Sequence, residues 1–328
     1  MGAIDHWHPV CQSRKLGRQP QKVRVDGRNI VLFRTESGEI GALSDCCVHR
    51  RMSLAKGTVV SGRLQCAYHG WNYDASGVGE SPGTPKLQSQ TLSYDTAEQH
   101  GLIWIKPRDC EAVVPHFDVA GYYHLCTLGH VVRAPLEVVL DNFCEIEHTP
   151  TTHALFGYDL ARMAEVTCEV ETTDTSVRVI NRGPQKRMPW LVRQLIRVGP
   201  RGEFIDDWAT HFSPVYSIYD HSWIDPDTGE AGMVRWRIVI FFTPQDDETT
   251  AVTTLAFTKS SYPGRYGGVR LARPILSRLV EREVQLDIAM LENLADKNPS
   301  LEGMKLSRFD RALGLNRERI ERVYRGKS

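Results

Sequence analysis

Two stretches of the sequence carry residue types able to hold metals. In the first, CVH at residues 47–49 and CAYH at 66–69 form two short knuckles, each with one thiolate and one imidazole. A zinc site usually pairs cysteine with cysteine and histidine with histidine. The alternation here instead matches a [2Fe-2S] cluster with two cysteines on one iron and two histidines on the other. In that reading Cys47 and Cys66 hold the ferric iron, and His49 and His69 hold the iron that accepts the electron. Neutral imidazoles in place of two thiolates raise the reduction potential. A structural zinc site is the alternative. Gly70, after the last histidine, is expected to let backbone amides approach the cluster sulfurs, and Cys46 is read as a packed thiol directed away from Cys47.

The second stretch is DNFCEIEHTPTTH, residues 141–153. On a helix Asn142, Glu145 and His148 share one face. His153 lies about 500° further round, but Pro150 disfavours helical geometry at Thr149. The helix is therefore expected to break there and let His153 fold back. Two convergent histidines need one carboxylate to complete the facial triad of a non-haem Fe(II) site with open positions for O2. The stretch from about Pro274 to Ala295 reads as a long helix on which Val280, Val284, Leu291 and Leu294 trace an apolar stripe, with Asp287 in its middle. An acid placed there needs a metal, an arginine or hydrogen bonds, because burying it unpaired costs several kcal/mol. Glu283 is the rival ligand and Asp287 the preferred one. A salt-bridged Asp287 is the alternative.

With these residues placed, CVHR and CAYHGWNYD resemble the Rieske signature of aromatic-ring and related oxygenases. DNFCEIEHTPTTH is similar to that family's iron-binding pattern, and EVQLDIAML to the late helix bearing its third ligand. The resemblance covers essentially the whole chain, from WHPV near residue 7 through HGLIWI to the C-terminal helix. It implies that His148, His153 and Asp287 bind a mononuclear Fe(II). The loops HRRMSL and CAYHGW lack the two further cysteines of respiratory Rieske proteins, which favours the oxygenase or soluble ferredoxin branch. The sequence departs from the family at Glu145, where most members have aspartate. In the family that acid bridges a Rieske histidine of the neighbouring subunit to an iron-bound histidine, so Glu145 is expected to link His69 of one chain to His148 of the next. A glutamate here is familiar in relatives that oxidise quaternary ammonium compounds. A role as hydrogen-bond acceptor for His148 is compatible with the bridge. Asn142 is expected to support the ligands from behind, and Glu147 to face solvent.

The resemblance further implies the terminal oxygenase of a multicomponent system, using O2 to hydroxylate a small organic substrate, including oxidative demethylation. Hydroxylation of a methyl on oxygen or nitrogen releases formaldehyde. Ring cis-dihydroxylation is the nearest alternative. A Rieske electron carrier without oxygenase chemistry, and a binding protein with a vestigial iron site, are the readings from other classes. The sequence has neither a GxGxxG after a strand nor a plant-type ferredoxin cysteine run. Electrons are therefore expected from NAD(P)H through a separate ferredoxin, flavin reductase or both. The family's arrangement implies a homotrimeric ring.

The elements that must position these residues are mostly strands. NIVLFRT, ESGE and IGALSD read as strand, turn and strand, and HGLIWIKP as a further buried strand. VRVINRG, then GMVRWRIVIFF, the turn TPQDDET and TAVTTLAFT, suggest a second sheet. The expected fold is α+β: an all-β Rieske domain over residues 1–115, then a catalytic helix-grip (START-like) domain over 116–328, with a twisted antiparallel sheet. Trp208, Phe212, Tyr216, Tyr219 and Trp223 are read as sheet core or as an aromatic substrate pocket. PWLVRQLIRV is read as a short helix at the pocket entrance. Arg317, Arg319, Arg322 and Arg325 form a solvated helix face or a dock for an acidic ferredoxin.

Composition bounds the rest. The 328 residues are enough for about two domains, and 40 basic residues balance 40 acidic ones. No global field favours nucleic acid or an anionic membrane. The longest apolar runs, such as residues 237–242, fall far short of the roughly 18 residues of a membrane span. MGAIDH has His6 where a myristoylation signal needs Ser or Thr, and no secretory core follows it. A soluble, cytoplasmic chain is expected, with eight cysteines serving as thiols or ligands rather than as a disulfide framework.

Overall fold

The computed structural model describes residues 2–263 and 268–327. The chain divides into two units: residues 1–115 joined by Thr243–Asp247, and residues 116–242 with 248–328.

The first unit is built from three small sheets. Strand His8–Gln12 pairs with Leu102–Pro107, which pairs with Tyr94–Gln99; Gln21–Val25, Arg28–Arg34 and Ile40–Ser44 form the second sheet. Five short strands between Thr58 and Gln90 form the third. The Arg28–Arg34 strand feeds two cores because its side chains alternate. Ile30 and Leu32 pack with Val25, Ile103 and Ile105. Val31 and Phe33 pack on the other side with Leu64, Tyr73, Cys47 and Cys66. The second core therefore anchors both cysteine knuckles. Gly41 makes the crossing possible, since a Cβ there would lie 2.3 Å from the Phe33 ring.

The second unit holds an open seven-stranded antiparallel sheet. Its spatial order is Tyr123–Val132, Thr249–Ser260, Val234–Asp246, Val215–Ile224, Glu203–Phe212, Ser176–Pro184 and Thr167–Thr172. Period-2 alternation turns Phe204, Asp206, Trp208, Thr210 and Phe212 to the buried face of one strand. The turn between the two longest strands is tighter than TPQDDET suggests: strand geometry continues to Asp246 and resumes at Thr249. The Pro244 and Gln245 carbonyls accept from the backbone N–H groups of Asp26 and Gly27, at 2.9 and 2.8 Å, so this tip belongs to the first unit.

Helix α1 spans Leu136–Phe143, α2 Thr149–Thr152, α3 Trp190–Ile196, α4 Val269–Glu292 and α5 Arg311–Arg319. Three expectations change. First, α1 ends at Phe143, so Glu145 and His148 do not continue its face. Second, Pro150 does not break a helix but helps start α2, where a missing N–H costs nothing in the first turn. Third, the buried stripe of α4 runs Val280, Val284, Asp287, Leu291 and stops there. Leu294 lies beyond the helix end and is 43% exposed.

The C-terminal arginines are neither a solvated face nor a free basic patch. Arg317 pairs with Asp141 at 2.5 Å, Arg325 with Glu137 at 2.5 Å, and Arg322 with Glu318 at 2.7 Å. Arg319 donates to the Thr173 carbonyl at 2.8 Å. Two of the four thus clamp the tail to α1, and the other two hold it to the turn before Ser176, Arg322 by donating to the Asp174 carbonyl at 2.7 Å.

Candidate metal centres

In the first unit the two knuckles repeat one backbone design. Cys47 N–H donates to Met52 and Arg51 N–H to the Cys47 carbonyl, both at 2.9 Å; Cys66 N–H donates to Trp71 at 2.7 Å and Gly70 N–H to Cys66 at 3.1 Å. Arg51 and Gly70 both have positive φ, +59° and +71°. A Cβ at Gly70 would meet nothing closer than 3.6 Å, so this glycine serves the left-handed turn rather than a close approach. Cys47 and Cys66 are buried, whereas His49 and His69 are exposed with ring centroids 4.6 Å apart. His49 stacks on Trp71 at 5.0 Å. The Tyr73 hydroxyl lies 3.1 Å from the Cys47 sulfur, and burial pushes the Cys66 thiol pKa up. Two inner thiols beneath two outer imidazoles fit a cluster of the mixed-ligand kind. Cys46 is exposed rather than packed, because the strand ends at Ser44 and its side chain leaves the core.

In the second unit His148 Nε2, His153 Nε2 and Asp287 Oδ1 form a triangle. The nitrogens are 3.0 Å apart, and the oxygen lies 3.2 Å from the first and 3.3 Å from the second. Ligand atoms at adjacent octahedral positions, with metal bonds of about 2.1 Å, stand about 3 Å apart. The three side chains therefore fit one face of a metal ion, leaving the opposite face open. They come from three places: His148 just before α2, His153 just after it, and Asp287 on α4. The four-residue turn replaces the rotation mismatch of a continuous helix and aims both rings the same way.

Surrounding groups hold the ligands. Glu145 contacts His148 Nδ1 with one carboxylate oxygen, and with the other accepts from the backbone N–H groups of Glu147 and His148. Glu283, the rival ligand, lies 3.1 Å from His153 Nδ1 and accepts from Ala154 N–H at 3.2 Å. It lies against one member of the triangle rather than joining it. Asn142 donates to Asp287 Oδ1 at 3.1 Å, and Glu147 is exposed. Burial works to lower the His148 pKa, but hydrogen bonds to Asp287 and Glu145, with their charges, raise it to about 10 in the metal-free chain.

Three residues at this site escape a sequence reading. Lys186 donates its ammonium to the carbonyls of Thr149, Pro150 and His153, at 3.0, 3.1 and 2.6 Å. It adds a charged donor to the C-terminal carbonyls of this short helix, of which that of Thr149 also accepts from the His153 N–H at 3.3 Å. Asp206 and His221 line the cavity of about 90 Å³ that opens on the triangle. For Asp206 a signal was available in the alternation of EFIDDWATHF, which turns an acid inward between Phe204 and Trp208. Of the five aromatics named from sequence, Trp208 and Tyr219 line this cavity, while Phe212, Tyr216 and Trp223 are buried elsewhere. Helix α3 instead lines a larger cavity of about 610 Å³, with Val192, Leu195 and Ile196.

Residues 6–92 match the Rieske [2Fe-2S] domain, and residues 132–322 match the vanillate O-demethylase oxygenase C-terminal domain. The chain is 33% identical over 153 residues to chlorophyllide a oxygenase of Arabidopsis thaliana, a match covering 45% of this chain and 28% of that protein. It is 35% identical over 161 residues to the tert-butanol monooxygenase / tert-amyl alcohol desaturase oxygenase subunit of Aquincola tertiaricarbonis, covering 45% and 34%. The match thus spans about a third of the length of these relatives. Crystalline dicamba monooxygenase bound to 3,6-dichlorosalicylic acid superposes with a TM-score of 0.83 at 18% identity, covering 98% of this chain and 97% of that one, and so shares its fold. On the domain match that covers more than half its length, the chain belongs to the Rieske non-haem iron oxygenases.

Proposed function

We propose that this chain is the terminal oxygenase of a multicomponent system that hydroxylates, or oxidatively demethylates, a small organic substrate. The observation that carries this reading is the triangle of His148, His153 and Asp287, with 3.0 to 3.3 Å edges, at the wall of a cavity. Cys47, Cys66, His49 and His69 hold the [2Fe-2S] cluster, and the triangle holds Fe(II). Iron bound there supplies the reductive activation of O2.

The protein's part is to orient and to exclude water. Glu145 at His148 Nδ1 and Glu283 at His153 Nδ1 leave each Nε2 free to ligate. Asn142 fixes the Asp287 carboxylate. Phe143, Phe156, Trp208 and Ile238 give the cavity apolar surface, which would hold a substrate's hydrocarbon beside the triangle and limit competing water. We further assign Glu145 the bridge to His69 of a neighbouring chain in a homotrimer, a reading supported by the family resemblance and compatible with its hold on His148. A separate ferredoxin or flavin reductase supplies electrons from NAD(P)H.

The boundary at residue 115 and the helix-grip description belong to the same reading. Helix α4 lies along the edge strand Tyr123–Val132, with Arg273 and Ser277 donating to the Leu125 carbonyl at 2.8 and 3.2 Å. Among the described residues no helix is long and apolar enough to cross a membrane. All eight cysteines are free thiols, which suits a cytoplasmic protein.

The test is to purify the protein without oxygen and count iron and acid-labile sulfide per chain, with Asp287→Ala beside it. About three irons and two sulfides, falling to about two irons in the variant, are expected. Two irons and two sulfides in both proteins would reduce the chain to an electron carrier.

A further inference from the structure

Away from the triangle and the polar residues around it, the cavity is apolar except on one side. There Asp206 and His221 face each other as direct cross-strand partners of strands Glu203–Phe212 and Val215–Ile224. Their side chains approach to 3.1 Å between Asp206 Oδ1 and His221 Nε2, and the residues are 7% and 8% exposed. The imidazole is boxed by Phe156, Phe204 and Tyr219, with centroids 5.1, 5.3 and 5.9 Å away. A buried acid and imidazole among aromatic rings lower stability unless every polar atom finds a partner. Here Asp206 Oδ1 and His221 Nδ1 both lack a hydrogen-bond partner, so their residues meet in a close contact and not in a hydrogen bond. Neither Asp206 nor His221 takes part in holding the metal ligands described above.

We propose that Asp206 and His221 recognise the substrate, and that they select an apolar molecule carrying a hydroxyl group. Asp206 lies 3.1 Å from the imidazole and is the positioning residue. His221, whose ring nitrogens can accept from or donate to a hydroxyl, takes that group, and the aromatic rings take the hydrocarbon. Anchoring the hydroxyl at this wall sets which carbon reaches the triangle. The inference rests on the oxygenase reading for its chemistry, but not for its binding test.

That test uses a pair matched in shape, 4-fluorophenol and 4-fluorotoluene, followed by 19F NMR titration of anaerobic iron-loaded protein. The wild type is expected to bind the phenol roughly tenfold or more tightly than the toluene, the discrimination of one hydrogen bond in a buried site. In His221→Phe, which keeps the ring volume, the preference is expected to vanish. The double variant Asp206→Leu/His221→Phe removes both polar partners together. It is expected to melt no lower than wild type while also losing the preference. Equal binding of the two probes by the wild type, or a phenol preference that survives in His221→Phe, overturns the proposal. So does a double variant that melts well below wild type yet keeps the preference, which makes the pair structural. Paramagnetic broadening of the bound probe, absent in Asp287→Ala, reports the iron site separately. Broadening without hydroxyl preference defeats this inference alone, and preference without broadening defeats the oxygenase reading alone.

Discussion

Replacing Lys186 by methionine removes one ammonium and keeps most of the stem. The ammonium reaches three carbonyls, of Thr149, Pro150 and His153, within 2.6 to 3.1 Å. All three belong to the α2 turn that separates the two ligand histidines. A hydrogen bond from a charged donor contributes about 1.5–3 kcal/mol in a buried setting. Lys186 is only half-buried, and its pKa is lowered by burial, so part of the gain is already offset by desolvation. Water will also replace some of the lost contacts. About 2–3 kcal/mol for all three bonds together is a reasonable total. The loss falls on the spacing of His148 and His153, so the Fe(II) Kd should weaken about 10- to 100-fold, as for other groups that support metal ligands. Urea unfolding of the second unit and anaerobic Fe(II) titration read the two effects. Acid-labile sulfide should stay unchanged, because Cys47 and Cys66 are anchored in a different core. A Lys186→Met protein with wild-type iron affinity and stability within about 0.5 kcal/mol would refute the view that this lysine holds the turn.

Glu283→Gln removes the carboxylate charge beside His153 Nδ1, and should weaken iron binding about tenfold without abolishing it. Loss of all mononuclear iron would make Glu283 a ligand. Tyr73→Phe removes the hydroxyl 3.1 Å from the Cys47 sulfur. It should lower the cluster potential by about 40 mV, the equivalent of about 1 kcal/mol for one electron, as read by redox titration. Iron binding at pH 7 should release about one proton, because His148 is protonated up to about pH 10 without metal and must be neutral to ligate. Calorimetry in buffers of different ionisation enthalpy measures this. The sign for the metal-free chain is fixed by the same raised pKa: the stability His148 contributes is full below its ordinary value of 6.5 and is lost as pH rises through about 10.

Much of this was legible in the sequence because ligand chemistry is local. The alternation of thiolate and imidazole in CVH and CAYH needs only residue types and spacing, and a carboxylate at position 287 stands out against Val280, Val284 and Leu291 on helical periodicity alone. Strand alternation likewise marked the sheets. Local rules failed where a neighbour from far along the chain decides the outcome. Pro150 fits a helix break and a helix start equally well, and only the folded chain shows the start. Cys46 reads as core until the strand ends at Ser44, and the arginines at 317 and 325 read as surface until Asp141 and Glu137 meet them.

What the sequence determined by itself is therefore the inventory of candidate ligands and the periodicities that present them. The tertiary structure decided their convergence. It set a triangle about 3 Å on a side from residues 148, 153 and 287, set Glu283 against His153, and brought Lys186 beneath the turn and Asp206 and His221 to the cavity wall. The physical reason is that a side chain's type is written at its own position, whereas its partners, its burial and hence its charge state are fixed only when distant segments pack.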